Sequence, residues 1–76
     1  MPSKHKYSVG DLVGICADCM ADCEIVQCLP KRKGQALTYV AKAVSIHHPR
    51  PEESFFGKNP LFEVRENQIV VCLKPA

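Results

Sequence analysis

Proline and glycine are placed so that no regular element in this chain can be long. Prolines fall at 2, 30, 49, 51, 60 and 75, and glycines at 10, 14, 34 and 57. Proline removes a backbone donor and fixes φ, while glycine weakens the interior of a helix or strand. Each therefore tends to end or bend an element. What lies between them suits short strands joined by turns. A chain of 76 residues has room for one domain and one small core. At that size a fold buries only about 60% of the surface its unfolded chain exposes, which disfavours a large internal active site.

Five stretches read as strands. Residues 9–16 open on the Gly10-Asp11 turn and continue apolar. Residues 23–29 follow, ended by Pro30, and 30–34 read as a hairpin loop. In 35–45, Leu37, Tyr39, Ala41 and Ala43 share one face, and Thr38, Val40, Lys42 and Val44 share the other. The β-branched and aromatic content of that run favours a strand. Residues 46–60 are interrupted by Pro49, Pro51, Gly57 and Pro60 and read as a long loop with one helical turn at 52–56. Residues 61–65 alternate apolar and charged, 66–68 make a polar turn, and 69–73 close the chain as a strand. An amphipathic helix over 12–26 competes with the first two strands. It would place Leu12, Cys16, Cys19, Cys23 and Val26 on one side and Asp18 and Ala21 on the other. Gly14 and the pair Ile25-Val26 oppose it, and Ile25 would lie on its polar face.

Charge narrows the function classes only a little. Ten basic residues against eight acidic leave a net charge of +2, and a dedicated nucleic-acid binder is usually far more basic. The one dense basic cluster is Lys31-Arg32-Lys33. The acidic residues Asp18, Asp22, Glu24, Glu52 and Glu53 read as solvated turns. No apolar run reaches the ~18 residues of a membrane helix. The segment from Met1 to Lys6 is polar and leads into no signal-type apolar stretch. The expectation is a soluble, cytoplasmic protein that contacts no membrane, with 1–6 a flexible N-terminus and 7–76 a single domain.

The five cysteines invite a metal reading. Cys16, Cys19, Cys23 and Cys28 follow one another at short intervals, and Cys72 stands apart. Zinc takes four thiolate or imidazole ligands in a tetrahedron, commonly as two close pairs. Cys16 and Cys19 have the spacing of one such pair, and Cys23 with Cys28, or His47 with His48, would have to supply the other. Adjacent histidines point to opposite faces of an extended strand, which makes them poor joint ligands. The simpler reading has the cysteines as small apolar fillers in a reducing compartment. An odd number of cysteines does not complete a disulfide framework. No glycine-rich phosphate loop, paired-carboxylate motif or H-E-x-x-H occurs. Nothing in the sequence sets a cysteine beside a histidine for nucleophilic catalysis.

Five short strands around one core suggest a small, highly curved, mainly β barrel. The pattern resembles the SH3-like barrels, including Tudor-like and KOW-like domains. It is carried by Val9-Gly10-Asp11-Leu12-Val13, by Glu24-Ile25-Val26-Gln27-Cys28-Leu29-Pro30 with the Gly34 turn, by Tyr39-Val40-Ala41-Lys42, and by the run from Phe62 to Ile69. The same residues are similar to a set of short bacterial proteins of uncharacterised function. Two features differ from their scheme: Cys23 stands where an aromatic is usual, and 46–60 make a longer loop. The resemblance implies a five-stranded barrel with one long loop and a short helical turn. Such barrels serve many roles, so the fold does not carry a function with it.

The expectation is therefore a non-enzymatic interaction module without a cofactor. Its partner is a protein segment or nucleic acid. Lys31, Arg32 and Lys33 would meet phosphate, and Tyr39, Phe55 and Phe56 would stack on bases or anchor a peptide. The alternative is a small zinc-stabilised protein using Cys16, Cys19 and Cys23.

Overall fold

The structure is a computed structural model that describes residues 5–30 and 32–76. Its strands are β1 (Leu12–Cys16), β2 (Met20–Cys28), β3 (Thr38–His47), β4 (Phe62–Arg65) and β5 (Ile69–Lys74). A short helix α1 (Phe55–Lys58) and two 3₁₀ turns, Pro51–Glu53 and Glu66–Gln68, complete the elements. The fold is mainly β. All five strands form one antiparallel sheet in the order β4-β3-β2-β1-β5. Among the described residues no ladder joins β4 to β5, so the sheet keeps two edges.

The segment that could have been a helix is a hairpin. β1 and β2 pair from Leu12 opposite Glu24 to Cys16 opposite Met20. Val13, Ile15, Ala21, Cys23 and Ile25 all turn into one face and are buried. A period of two buries every one of them, whereas a helix would leave Ile25 among polar residues. β2 starts at Met20 rather than at 23, because Ala17 donates its N–H to the carbonyl of Cys19 (3.0 Å) and closes the turn tightly. β3 starts at Thr38 rather than 35 and runs on to His47, where Met20 still offers a ladder partner. At the other end of the β2–β3 hairpin, Gly34 takes φ +75°, a left-handed conformation that favours glycine.

One face of the sheet holds the core. Tyr39 and Ala41 from β3 meet Val13, Ile15, Ala21, Cys23 and Ile25, with Phe62 and Val64 from β4 and Ile69 from β5. Tyr7 and Phe56 close it from outside the sheet. The chain before β1 is strapped across the sheet by backbone bonds: Gly10 N–H to Ile25 O (2.8 Å), and Ile25 N–H to Asp11 O (3.0 Å). Among the described residues no buried side-chain nitrogen or oxygen lacks a partner, as a stable interior requires. None of the described helices is long and apolar enough to cross a membrane.

Candidate functional site

The ladder sorts the expected site residues into separate places. Cys28 lies opposite Tyr39 at one end of β3, and Met20 lies opposite His47 at the other. Roughly 25 Å of strand separates the two ends. The basic turn leaves from the first end. Phe55 is tied to the second, where its N–H donates to the Asp18 carboxylate (3.1 Å).

Tyr39 is a core residue with no exposed surface, and it offers no face to a ligand. Its hydroxyl donates to the Glu66 carboxylate and accepts the Tyr7 N–H at 3.3 Å. Burial, and then the adjacent carboxylate, push its ionisation far above the ordinary phenol value. The same hydrogen bond holds Glu66 below the usual carboxylate range, assisted by the Lys6 N–H. His5 packs its ring edge against Tyr39, and its Nε2 lies 2.7 Å from the Leu29 carbonyl oxygen. His5 and Lys6 are thus held against the domain. The rest of the segment expected to be flexible, residues 1–4, lies outside the described residues.

Phe56 is also buried, so only Phe55 of the aromatic pair is exposed. Phe55, Phe56 and Phe62 stack edge to face in a triangle with ring centroids 5.3–5.5 Å apart. The loop, which begins after His47 rather than at 46 because β3 runs on, is bolted down by this triangle and by Ser54. The Ser54 hydroxyl donates to Pro51 O (2.7 Å) and accepts the Gly57 N–H (3.2 Å). A side chain at 57 would place its Cβ 2.0 Å from the Pro51 oxygen, so glycine is needed for this close approach.

The cysteines are dispersed. Cys23 is buried in the core, and desolvation followed by the charge of Asp22 pushes its thiol up to about 12. Cys16 and Cys72 are exposed, Cys19 and Cys28 half-buried, and all five are free thiols. Desolvation, followed by contact with Asp18, raises the Cys19 thiol as well. Among the described residues no group of three or more His, Cys, Asp or Glu side chains is placed to hold a metal ion. The zinc alternative therefore lacks a ligand set: Cys23 turns into the core face, while Cys16 on the neighbouring strand is exposed.

Arg32 and Lys33 are exposed, and Lys31 lies outside the described residues. Arg32 lines a groove of about 780 Å³. Gly34, Gln35 and Ala36 of the same loop line it too. Thr38 and Arg65, paired across β3 and β4, contribute with Glu63 and Val64. Asn67 and Gln68 complete the lining. The β2–β3 loop is pinned to the 66–68 turn by the Glu66 N–H on the Leu37 carbonyl (2.9 Å). Gln68 Oε1 accepts the Arg65 N–H (2.9 Å) and fixes the 66–68 turn. A second hollow of about 510 Å³ adjoins it, lined by Lys6, Tyr7, Ala36, Leu37, Glu66, Asn67 and Ile69.

Among the described residues, Arg32 is the one expected binding residue that lines the larger groove. Sequence reading missed Arg65, Gln35, Asn67 and Gln68. The alternation of 61–65 did mark Arg65 as outward-facing, and the polar turn after it marked Asn67 and Gln68. The signal absent from the sequence was the register that sets Arg65 beside Thr38. No protein-family model, curated protein or solved structure matches the chain, so the groove's own geometry carries the functional argument.

Proposed function

We propose that this protein is a small non-enzymatic interaction module that binds nucleic acid through the groove lined by Arg32 and Arg65. The single observation behind this reading is the groove's lining. It carries two guanidinium groups against one carboxylate, with three side-chain amides and a hydroxyl. Most hydrogen bonds to nucleic acid go to phosphate and sugar, from arginine, amides, hydroxyls and backbone N–H groups. A peptide ligand draws its affinity from apolar and aromatic anchors in dry pockets, and this groove offers only Val64, Ala36 and the Thr38 methyl for such an anchor. The sheet order, with a 3₁₀ turn between the last two strands, supports an SH3-like barrel. Five free thiols suit a reducing, cytoplasmic setting.

A second reading, a protein partner, draws on the exposed apolar side chains Val70, Val71 and Leu73 of β5. One titration separates the two. Mixed single-stranded and duplex oligonucleotides are added at two salt concentrations, followed by fluorescence anisotropy. Binding that weakens steeply with salt, and that loses about 0.7–0.9 of log–log slope for each of Arg32→Gln and Arg65→Gln, supports the groove. No binding at low salt removes the nucleic-acid reading and leaves the protein partner.

A further inference from the structure

The larger groove does not end at Asn67. The second hollow begins there: Ala36 and Asn67 line both. Beyond them lie Lys6 and Glu66. The Glu66 carboxylate is already engaged by the Tyr39 hydroxyl and the Lys6 N–H. The Lys6 ammonium sits over the Tyr7 ring, 5.6 Å from its centre, and its side chain is in solvent. The two hollows thus adjoin through shared lining, with Arg32 and Arg65 on the first and Lys6 on the second. The acidic groups among the described lining residues are Glu63 on the first and Glu66 on the second.

Resting on the nucleic-acid reading, we propose that these hollows are one continuous track for a single strand, running from Arg32 to Lys6. The shape separates single strand from duplex. Duplex DNA is read by something that protrudes, a helix or β-ribbon entering a groove about 12 Å wide. This site is a pair of adjoining depressions, which receive a strand rather than entering one. A lone strand lets both its backbone and its base edges be reached. Arginine and lysine would follow the phosphates. The amides of Gln35 and Asn67 each present a donor and an acceptor to base edges, and Gln68, whose Oε1 holds the Arg65 N–H, presents its amide N–H donors. No aromatic ring among the described lining residues lies open as a stacking platform, since Tyr7 is buried. Binding therefore depends on charge more than on stacking, and tolerates sequence variation.

Length dependence tests the track. Fluorescein-labelled oligothymidylates of two and of ten nucleotides are titrated with wild type and Lys6→Gln, alongside a ten-base-pair duplex. The Lys6 substitution leaves its backbone bond to Glu66 in place, and equal melting temperatures of the two proteins verify the fold. The expected result is tighter binding of the ten-mer than of either the dinucleotide or the duplex. Lys6→Gln should weaken the ten-mer about threefold or more and lower its salt slope by about 0.7. It should leave the dinucleotide unchanged. Unchanged ten-mer binding by Lys6→Gln would overturn the track while leaving Arg32 and Arg65 as the site. Tighter binding of the duplex would overturn it too, and would assign contact to the protruding β2–β3 loop. Absence of all binding by the wild type would instead remove the nucleic-acid reading itself.

Discussion

The two ends of β3 are finished in opposite ways. At the His47 end the long loop folds back, and its phenylalanines fill the space beside β4. Asp18 and Ser54 satisfy the backbone there. At the Thr38 end the β2–β3 loop is joined to the 66–68 turn by a single backbone bond, Glu66 N–H to Leu37 O, and the residues around it line a polar groove. Apolar side chains are used at one end to exclude water. At the other, arginines and amides keep donors that no partner among the described residues takes up. The lesson is that the long loop, whose two adjacent phenylalanines read as candidate anchors, packs as a structural closure. The short hairpin loop lines the proposed groove.

The largest test of that contrast is at Phe56. It is 2% exposed and packed against Phe55 and Phe62. Truncation to alanine removes its burial and leaves a cavity, at a cost of about 3–5 kcal/mol. Urea denaturation of Phe56→Ala should therefore show a protein largely or wholly unfolded. A loss under about 1 kcal/mol would mean the loop is not the closure described. Gly57→Ala should lie somewhat below it, at about 1–3 kcal/mol, because its new Cβ meets the Pro51 backbone oxygen rather than a movable side chain.

How far the sequence announced this arrangement depends on the kind of signal each part leaves. The strands were legible because burial is written in steps of two. Tyr39 and Ala41 turn inward, while Val40 and Lys42 on the opposite face are more exposed. The start of β2 was less legible, because Met20-Ala21-Asp22 alternates weakly and the tight 17–19 turn contains no glycine or proline. The inward face of Tyr39 is also readable, since it shares the period of Leu37 and Ala41, and burial there leaves it no face for stacking. The groove was not legible, because Arg32 and Arg65 are far apart in the chain and come to line one groove only where the β3–β4 register sets Arg65 beside Thr38. A basic run is visible by itself, whereas a lone arginine in an alternating strand becomes notable only beside its neighbours.

The cysteines give an intermediate test. Cys23 is fully buried and Cys16 is exposed, although they sit on adjacent strands. Cys23→Ser puts a hydroxyl into an apolar site and should cost about 1–3 kcal/mol. Cys16→Ser should stay within about 0.5 kcal/mol. Equal losses, reversed by zinc, would restore the metal reading.

The pH profile of stability reports on both ends together. Glu66 at the groove end and Asp18 at the loop end are held below the usual carboxylate range, by the Tyr39 hydroxyl and the Phe55 N–H respectively. A carboxyl whose folded pKa is depressed contributes fully above its unfolded value, about 4. That contribution is lost as pH falls through the folded value. Stability should therefore decline on acidification below about pH 4–5. Glu66→Gln should flatten part of that decline, and Asp18→Asn another part. At the alkaline side the raised groups act in the opposite sense. Cys23, at about 12, and Tyr39 contribute fully below their unfolded values of about 8.5 and 10, and that stability is lost as pH rises beyond them. Thermal melts from pH 3 to 11 measure both limbs. A flat acid limb would mean that neither carboxylate holds its end of the sheet.

The smallest effect is expected at the groove arginines, and its smallness is the point. Arg32 and Arg65 are exposed, and among the described residues neither forms an ion pair within 4.0 Å. Surface substitutions away from packing and caps usually stay within about 0.5 kcal/mol. Arg32→Gln and Arg65→Gln should therefore melt like the wild type while losing nucleic-acid affinity. Gln68→Ala is the informative neighbour. It removes the acceptor of the Arg65 N–H and loosens the turn that lines the groove, so it should cost about 1 kcal/mol and weaken binding as well. If Arg65→Gln destabilised the fold as much as Gln68→Ala, its guanidinium would be supporting the turn rather than facing a ligand. The contrast between a packed end and a binding end would then fail at its central residue.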